Sequence, residues 1–369
     1  GAVLVKNACA RWTSIGHRRV SQRALHGLGA MERYRRERVI GKGAFGSALL
    51  VADRHSGTRY VIKQVDVSKM GQKERDDAKK EVKLLGSFKH PNIVRYRESF
   101  IDQGMLCIVM DFADGGDLHK LLAEQRGQHL SEERVLDLFV QICLALKHIH
   151  DRKVLHRDIK SQNVFLTSNR RIVKLGDFGI ARVLTNTREL ARTACGTPYY
   201  MSPEICDGKP YNDKSDVWSL GCLLYEMLTL RCPFDARDMR GLVIKILRGH
   251  YPPLPVGKYS KGTSELVARL LRRSPTERPS VNEILRMPIM RARIDNFLSS
   301  EVKADEFSHT VLHRNPSMNR AALPDAELGP NGGPNGGRPP PAPVVPSFAP
   351  PPNPAIAAAA AAVAQAQCS

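Results

Sequence analysis

Apolar and polar positions alternate with two different periods along this chain, and the change from one to the other divides it. From Tyr34 to about Tyr96 the period is mostly two. "RVIGKGAFGSALLVAD" and "RYVIKQVDV" predict strands on either side of "RHSGT", a turn carrying Gly57. "KERDDAKKEVKLLGSF" then spaces its apolar residues as a helix does, ending near Gly86 and Pro91. "NIVRYRESFI" and "MLCIVMDFA" predict two more strands flanking "DQG". After "DGGDL" the helical period takes over. "EERVLDLFVQICLALKHIHD" predicts a long amphipathic helix, and "SDVWSLGCLLYEMLT" and "SELVARLLR" predict further helices. The expected class is α+β, with two lobes: a small strand-rich one bearing one helix, and a larger, mainly helical one. A cleft between two such lobes is a favoured ligand site.

Past Ser300 the periodicity fades. "GPNGGPNGGRPPPAPVVPSFAPPPNPA" is rich in Pro and Gly and an Ala/Gln-containing end follows, so residues 301–369 are expected to be a disordered tail. Residues 1–30 hold five basic residues and no acid. That composition resembles a mitochondrial transit peptide, but Met31 stands directly before the first patterned segment, and a basic, unstructured upstream extension is the expected reading. The longest apolar run, "AIAAAAAAVA", is too short for the ~18 residues of a membrane span, so no membrane partner is expected.

At 369 residues, 42% hydrophobic and 25% charged, the composition is that of a globular protein with a sizeable core. Of the net charge of +19, residues 31–300 hold +15. A basic surface attracts phosphates or acidic protein surfaces, or is merely solvated. Nucleic-acid binding is not expected, because neither interleaved aromatic residues nor a reading motif accompanies the charge. The eight cysteines show no CxxC pair and no zinc-finger spacing, which predicts buried free thiols.

The candidate chemistry begins at "GKGAFG", Gly41 to Gly46. A lone G-x-G-x-x-G is weak, but here a strand follows it, where a dinucleotide fingerprint requires a helix. Glycines between two strands let backbone amides close over phosphates. Lys63, seventeen residues beyond Gly46, sits within "YVIKQV", and Glu81 in the next helix is its expected partner. "HRDIKSQN" fits H-R-D-x-x-x-x-N, "DFG" begins 19 residues after Asp158, and "SPE" at Ser202–Glu204 closes the series. Asp158, Asn163 and Asp177 are oxygen-bearing side chains of the kind that hold Mg²⁺ or orient a hydroxyl. Five motifs in order and spacing are far more specific than any one.

Over about residues 34–295 the chain resembles a eukaryotic protein kinase. "HPNIVRYRESF", "QICLALKHIHDRKVLHRDIKSQNVFLT", "LGDFGIARVL", "GTPYYMSPEI", "KSDVWSLGCLLYEM" and "ERPSVNEIL" are similar to the NIMA-related (NEK) serine/threonine kinases. The resemblance implies a bilobal kinase fold, lobes at about 34–112 and 113–295, and transfer of the γ-phosphate of ATP, with Mg²⁺ or Mn²⁺, to Ser or Thr of protein substrates. It implies that Asp158 orients the substrate hydroxyl and Lys160 neutralises the transferring phosphoryl group. Lys63, paired with Glu81, would bind the α/β-phosphates, and Asn163 and Asp177 the metal. The nucleotide would lie under Ile40, Gly41, Lys42, Gly43, Ala44, Phe45, Gly46, Ser47 and Ala48. Met110 would be the gatekeeper, Asp111 and Ala113 the hinge, Asp117 the ribose neighbour and Phe165 the floor. Ala48, Val61 and Phe165 depart from the common kinase pattern of Val, Ala and Leu.

The same resemblance makes Thr193 an activating phosphorylation site, reached by autophosphorylation or an upstream kinase, with Arg157 and Arg182 receiving the phosphate. Thr197 would bond the catalytic residues. Glu204 is expected to pair with Arg278, Asp216 to hold the catalytic loop, and Tyr96, Leu85, Phe178 and His156 to form a stack linking the lobes. Cys195 is a plain small loop residue on this reading, and Ile180 weakly favours Thr over Ser. A cell-cycle, ciliary or microtubule role, and a place in the cytoplasm, cytoskeleton, centrosome, basal body or cilium, are family expectations. A kinase-fold scaffold acting by binding is the alternative.

Overall fold

A computed structural model describes residues 30–43, 46–68, 70–167, 169–177 and 199–297. The expected upstream extension and tail, and Ala44, Phe45, Phe178, Ile180, Arg182, Thr193, Cys195 and Thr197, lie outside the described residues, as does the side chain of Glu81.

The strand-rich lobe is a five-stranded antiparallel sheet in the order β1-β2-β3-β5-β4. Its strands are β1 (Tyr34–Gly43), β2 (Gly46–Asp53), β3 (Arg59–Asp66), β4 (Tyr96–Asp102) and β5 (Met105–Asp111). Period-two patterning gives each strand one face for each side of the sheet. Tyr34, Leu49, Val51, Ile62, Cys107 and Val109 pack together on one side. Val65, Leu106 and Ile108 face the other and join the main core with Ala78, Val82 and Leu85 of helix α1 (Gln72–Leu85).

Gly46 begins β2 with φ of +148°, and a β carbon there would lie 1.7 Å from the carbonyl oxygen of Gln64 on β3. Only glycine lets β2 start so close to β3. Gly41 differs. A β carbon on it would make ordinary contact with Ala48, at 3.7 Å, so the protein's own packing leaves room for one.

The second lobe is built on α3 (Glu132–Asp151) and α5 (Asp213–Thr229). The Ser131 hydroxyl caps α3 by accepting from the Arg134 amide, and the first turn carries Glu132 and Glu133 where the helix dipole favours acids. The expected amphipathic character of α3 is corrected by its setting: from Leu138 to Ile149 every residue is buried, Gln141, Lys147 and His148 included. Partners make this possible. Lys147 meets Asp151 one turn on, and the Gln141 amide donates to the carbonyls of Asp137 and Arg171 while accepting from the Val173 amide. Helix α5 starts in a capping box between Asn212 and Ser215 and stacks Trp218 on Phe234, with centroids 5.3 Å apart.

Around these two lie α2 (Leu118–Ala123), α4 (Pro203–Cys206), α6 (Met239–Arg248), α7 (Lys261–Leu270), α8 (Val281–Arg286) and α9 (Pro288–Phe297). A two-stranded hairpin, β6 (Val164–Thr167) with β7 (Ile172–Leu175), follows α3 within the helical lobe and presents its start to the candidate site. Among the described residues no helix is long and apolar enough to cross a membrane. Cys107, Cys143, Cys206 and Cys222 are buried free thiols and Cys232 is a half-buried one.

Candidate functional site

The segment from His156 to Asn163 is held from below by Asp216. Its fully buried carboxylate accepts from the backbone amides of His156 and Arg157, both at 2.9 Å, and from His150 Nε2 at 2.7 Å and the Tyr211 hydroxyl at 2.5 Å. Burial alone would push this carboxyl up, but those donors and the nearby imidazoles outweigh it and hold it below the usual range. The anchored loop includes a strained residue: Arg157 has φ of 69°. Its side chain is exposed.

His156 ties this loop to the one carrying Asp177. The Asp158 amide donates to His156 Nδ1 at 3.2 Å, so that nitrogen is the acceptor and Nε2–H donates to the Gly176 carbonyl at 3.1 Å. Burial lowers the imidazole pKa against the pull of Asp216, Asp158 and Asp177, which keeps the ring neutral in this role. Leu85 and His156 are buried and Tyr96 is half-buried against the same core.

Above the anchor, charges converge. Asp158 Oδ2 accepts from Lys160 Nζ at 2.8 Å and from Asn163 Nδ2 at 2.7 Å, while its other oxygen has no hydrogen bond among the described residues. The Asn163 amide nitrogen also donates to the Asp158 carbonyl, at 2.7 Å, leaving its Oδ1 free to accept. Lys63 reaches across from β3, with Nζ 3.0 Å from Asp177 Oδ1. Sequence reasoning paired Lys63 with Glu81, whose side chain is not described; its described partner is Asp177. Asp177, with φ of 59°, adopts a left-handed conformation unusual for a residue other than glycine.

The flank of the site is formed by β5, the chain after it and β6. Met110 is half-buried and pairs with Val61 on β3. The Asp111 amide donates to the Arg95 carbonyl at 3.0 Å, and its carboxylate holds the Arg97 guanidinium at 2.5 and 3.1 Å. Ala113 makes no backbone hydrogen bond among the described residues. Asp117, expected beside a ribose, caps α2 by accepting from the Lys120 amide at 2.8 Å, and bridges in backbone pairing to Phe165. Ala48 pairs with Lys63 and with Gly41, and Ser47 Oγ donates to Gln64 Oε1 at 3.1 Å. Ile40 and Lys42 are exposed on β1.

These residues fit a nucleotide and a divalent metal. Gly41 is glycine where the protein itself leaves space, Lys63 pairs with Ala48 on the strand that follows the glycines, and Ala113 offers unused backbone groups. Among the described residues no three His, Cys, Asp or Glu side chains converge as a metal cage. Asn163 and Asp177 carry the oxygen donors that would hold Mg²⁺, a cation that takes few protein ligands and completes its shell with water and phosphate.

Two features escaped sequence reasoning. Tyr200 donates its hydroxyl to Glu226 and accepts from the Ser161 amide at 3.2 Å, and Ser161 Oγ donates to the same carboxylate at 3.1 Å. Burial pushes the Glu226 carboxyl up despite these donors. His119 Nδ1 completes the group, 3.4 Å from Ser161 Oγ. The second is the depth to which the Glu204–Arg278 pair is sealed, with both side chains at most 4% exposed and two 2.8 Å hydrogen bonds between them.

A strand-rich lobe whose lysine meets an aspartate of the helical lobe, over a loop carrying Asp158, Lys160 and Asn163, is the architecture of a protein kinase. Residues 34–290 match the family described as "Protein kinase domain". The chain is 54% identical to mouse serine/threonine-protein kinase Nek1 over 284 residues, covering 77% of this chain and 23% of that protein. It is 51% identical to human Nek5, over 77% of this chain and 40% of that one, and 50% identical to mouse Nek4, over 71% and 33%. The chain thus spans less than half the length of these curated relatives. It belongs to the protein kinase family and, within it, to the NIMA-related serine/threonine kinases.

Proposed function

We propose that this chain is an ATP- and Mg²⁺-dependent serine/threonine protein kinase that transfers the γ-phosphate to Ser or Thr of protein substrates. The observation that carries the reading is the Asp158 carboxylate, with one oxygen held by Lys160 and Asn163 and the other open. The open oxygen accepts the hydrogen bond of the incoming hydroxyl and aligns it. A Ser or Thr hydroxyl is too weak an acid to be deprotonated beforehand, so alignment and charge neutralisation supply most of the catalysis. Lys160, on the tied oxygen, is placed to turn toward negative charge developing at the transfer. Lys63 binds phosphate oxygens from the side of β3. Asn163 Oδ1 and Asp177 would hold the metal, which when bound would supply neutralisation of phosphate charge. Phe165 and Ala48 enclose the base, and Ala113 bonds its edge.

Activation follows from phosphorylation of Thr193, by autophosphorylation or an upstream kinase. A charge of roughly −1.5 to −2 there would be received by Arg157 and Arg182. Arg157 supports this reading, because its backbone is fixed by Asp216 while its side chain stays exposed. Residues 34–295 form the kinase domain. The family suggests cell-cycle, ciliary or microtubule-linked substrates, in the cytoplasm, at the cytoskeleton, at the centrosome or basal body, or in the cilium.

Phosphorylation of a Ser/Thr peptide library by the full chain, with Mg²⁺ and ATP, tests the reading. The wild type is expected to phosphorylate, Asp158→Asn to abolish transfer, and Thr193→Ala to lower it severely. Nucleotide binding without transfer under every condition would leave a scaffold. A fully active Thr193→Ala would remove the switch.

A further inference from the structure

A second concavity lies away from the candidate site. It is an open cleft of about 840 Å³ among the first turn of α5, the end of α7 and the residues leading into α8. Five of its lining residues are basic: Lys214, Arg269, Arg272, Arg278 and Arg286. Their availability differs. Arg278 is the buried floor, and all its donors are used on Glu204 and on the carbonyls of Arg272, Arg273 and Lys214. Lys214 spends one donor on the Arg278 carbonyl, at 2.7 Å. Arg269, Arg272 and Arg286 are exposed, and their side chains make no hydrogen bond or ion pair among the described residues.

The two acids of the lining do not balance them. Glu283 is committed to Ser280 as the reciprocal half of a capping box, accepting from its amide at 2.7 Å. That backbone hydrogen bond is the main reason its carboxyl sits below the usual range. Glu277 alone remains, with no ion pair among the described residues. Three exposed guanidinium groups without an ion pair and a partly committed ammonium therefore share one concave surface with two carboxylates, of which Glu283 also feels the charges of Lys214 and Arg286. A concave wall of like charge focuses its field and raises the local concentration of anions. Guanidinium forks match carboxylate geometry two bonds at a time.

We propose that this cleft docks an acidic, carboxylate-rich peptide segment of a partner protein. Its volume is comparable with the ~300–1,000 Å³ of small-ligand sites, and its open side leaves room for a longer segment. Among the described residues no aromatic side chain lines the cleft, so they give no stacking platform of the kind single-stranded nucleic acid uses. Pro279 and Met287 supply apolar contact beside the charges, as a peptide backbone with mixed side chains requires. The cleft contains none of the residues assigned to phosphoryl transfer, so its occupancy and the kinase reaction are separable. The assignment also gives a use to part of the +15 that residues 31–300 carry.

The test is binding of fluorescein-labelled octaglutamate to the full chain, followed by anisotropy. The triple variant Arg269→Glu, Arg272→Glu, Arg286→Glu is compared with Arg36→Glu, Arg38→Glu, Arg54→Glu, which changes net charge equally on the strand-rich lobe. Loss of three exposed ion pairs should weaken octaglutamate binding by about tenfold or more in the cleft variant and by less than about threefold in the control. The triple Arg→Gln form of the cleft variant gives the same reading if charge reversal prevents folding. Phosphorylation of a short peptide lacking acids should stay within about twofold of wild type in the cleft variant. Equal weakening in both triples would overturn the proposal, since only overall charge would then matter. Tighter binding of octauridylate than of octaglutamate through the same arginines would overturn it in favour of nucleic acid.

Discussion

The Phe165 ring occupies the space that a side chain on Gly176 would need. A β carbon at Gly176 would lie 2.8 Å from Phe165 Cε2 and 3.0 Å from Cδ2, with Val94 Cγ2 also at 3.0 Å. The aromatic floor of the proposed nucleotide site and the glycine before Asp177 are therefore one feature. Gly176→Ala should destabilise the fold by about 1–3 kcal/mol, as overpacking does. Phe165→Leu should cost little alone and recover much of that loss in the double variant. Urea denaturation of the four proteins measures the coupling. Strictly additive effects would mean that the two positions do not compete for space.

Arg278 and Glu204 are joined by two parallel hydrogen bonds out of water, with the guanidinium 4.9 Å from the Trp218 ring centroid. Burial works against the Glu204 carboxylate, and Arg278 and Ser215 outweigh it. Removing one partner strands the other charge. Arg278→Ala should cost about 3–5 kcal/mol, and the double variant Arg278→Met, Glu204→Met much less, because it leaves no buried charge. A double variant as unstable as Arg278→Ala in thermal denaturation would show that the lost bonds to the Arg272, Arg273 and Lys214 carbonyls, not the stranded charge, decide.

How far the sequence could be read depended on whether information was local. Period and turn chemistry placed β2, β3 and α3 closely, since the Gly57 turn and the helical spacing after Ser131 are local signals. The five ordered motifs located the charged centre. The β6–β7 hairpin was hidden because four-residue strands carry too few positions to show a period. The Tyr200–Ser161–Glu226 group joins residues 39 and 65 apart, and nothing local marks Glu226, within an apolar helix, as a hydrogen-bond acceptor. The basic cleft gathers residues from Lys214 to Arg286, so it exists only in three dimensions. The burial of α3 on nearly all sides was masked by its polar residues, of which Gln141 and Lys147 have found partners inside.

The pH dependence of stability should carry a histidine signature. His90 is buried, and burial, reinforced by the charges of His148, Lys174, Arg152 and Lys147, holds its pKa well below the ordinary value. Its Nδ1 accepts from the Asn92 amide at 3.0 Å. In the unfolded chain a histidine titrates near pH ~6.5, so below that the unfolded state binds a proton that the native state does not. Stability is therefore complete above about pH 6.5 and falls as pH drops, by up to about 1.4 kcal/mol per pH unit for this site. His90→Gln should flatten that slope between about pH 6.5 and about pH 5. Urea midpoints across this range decide it: an unchanged slope would mean that His90 titrates alike in both states.

The Tyr200 hydroxyl joins the segment after the undescribed 178–198 stretch to the loop that carries Lys160, through Ser161. Tyr200→Phe leaves the Ser161 amide without its acceptor and Glu226 without one donor in a buried setting, costing about 1–3 kcal/mol. Ser161 follows Lys160 directly, so its displacement would also disturb the groups on Asp158. Misplacement on the order of 1 Å can cost ~10² in rate. Peptide phosphorylation by Tyr200→Phe should accordingly fall by about ten- to a hundredfold in kcat, with nucleotide KM nearly unchanged. Ser161→Ala should be milder, because the Tyr200–Glu226 hydrogen bond and the Ser161 amide both survive it. Steady-state kinetics of the two variants separate the possibilities. Equal losses would place the effect in Ser161 Oγ alone, and a loss confined to nucleotide KM would detach the group from the catalytic loop.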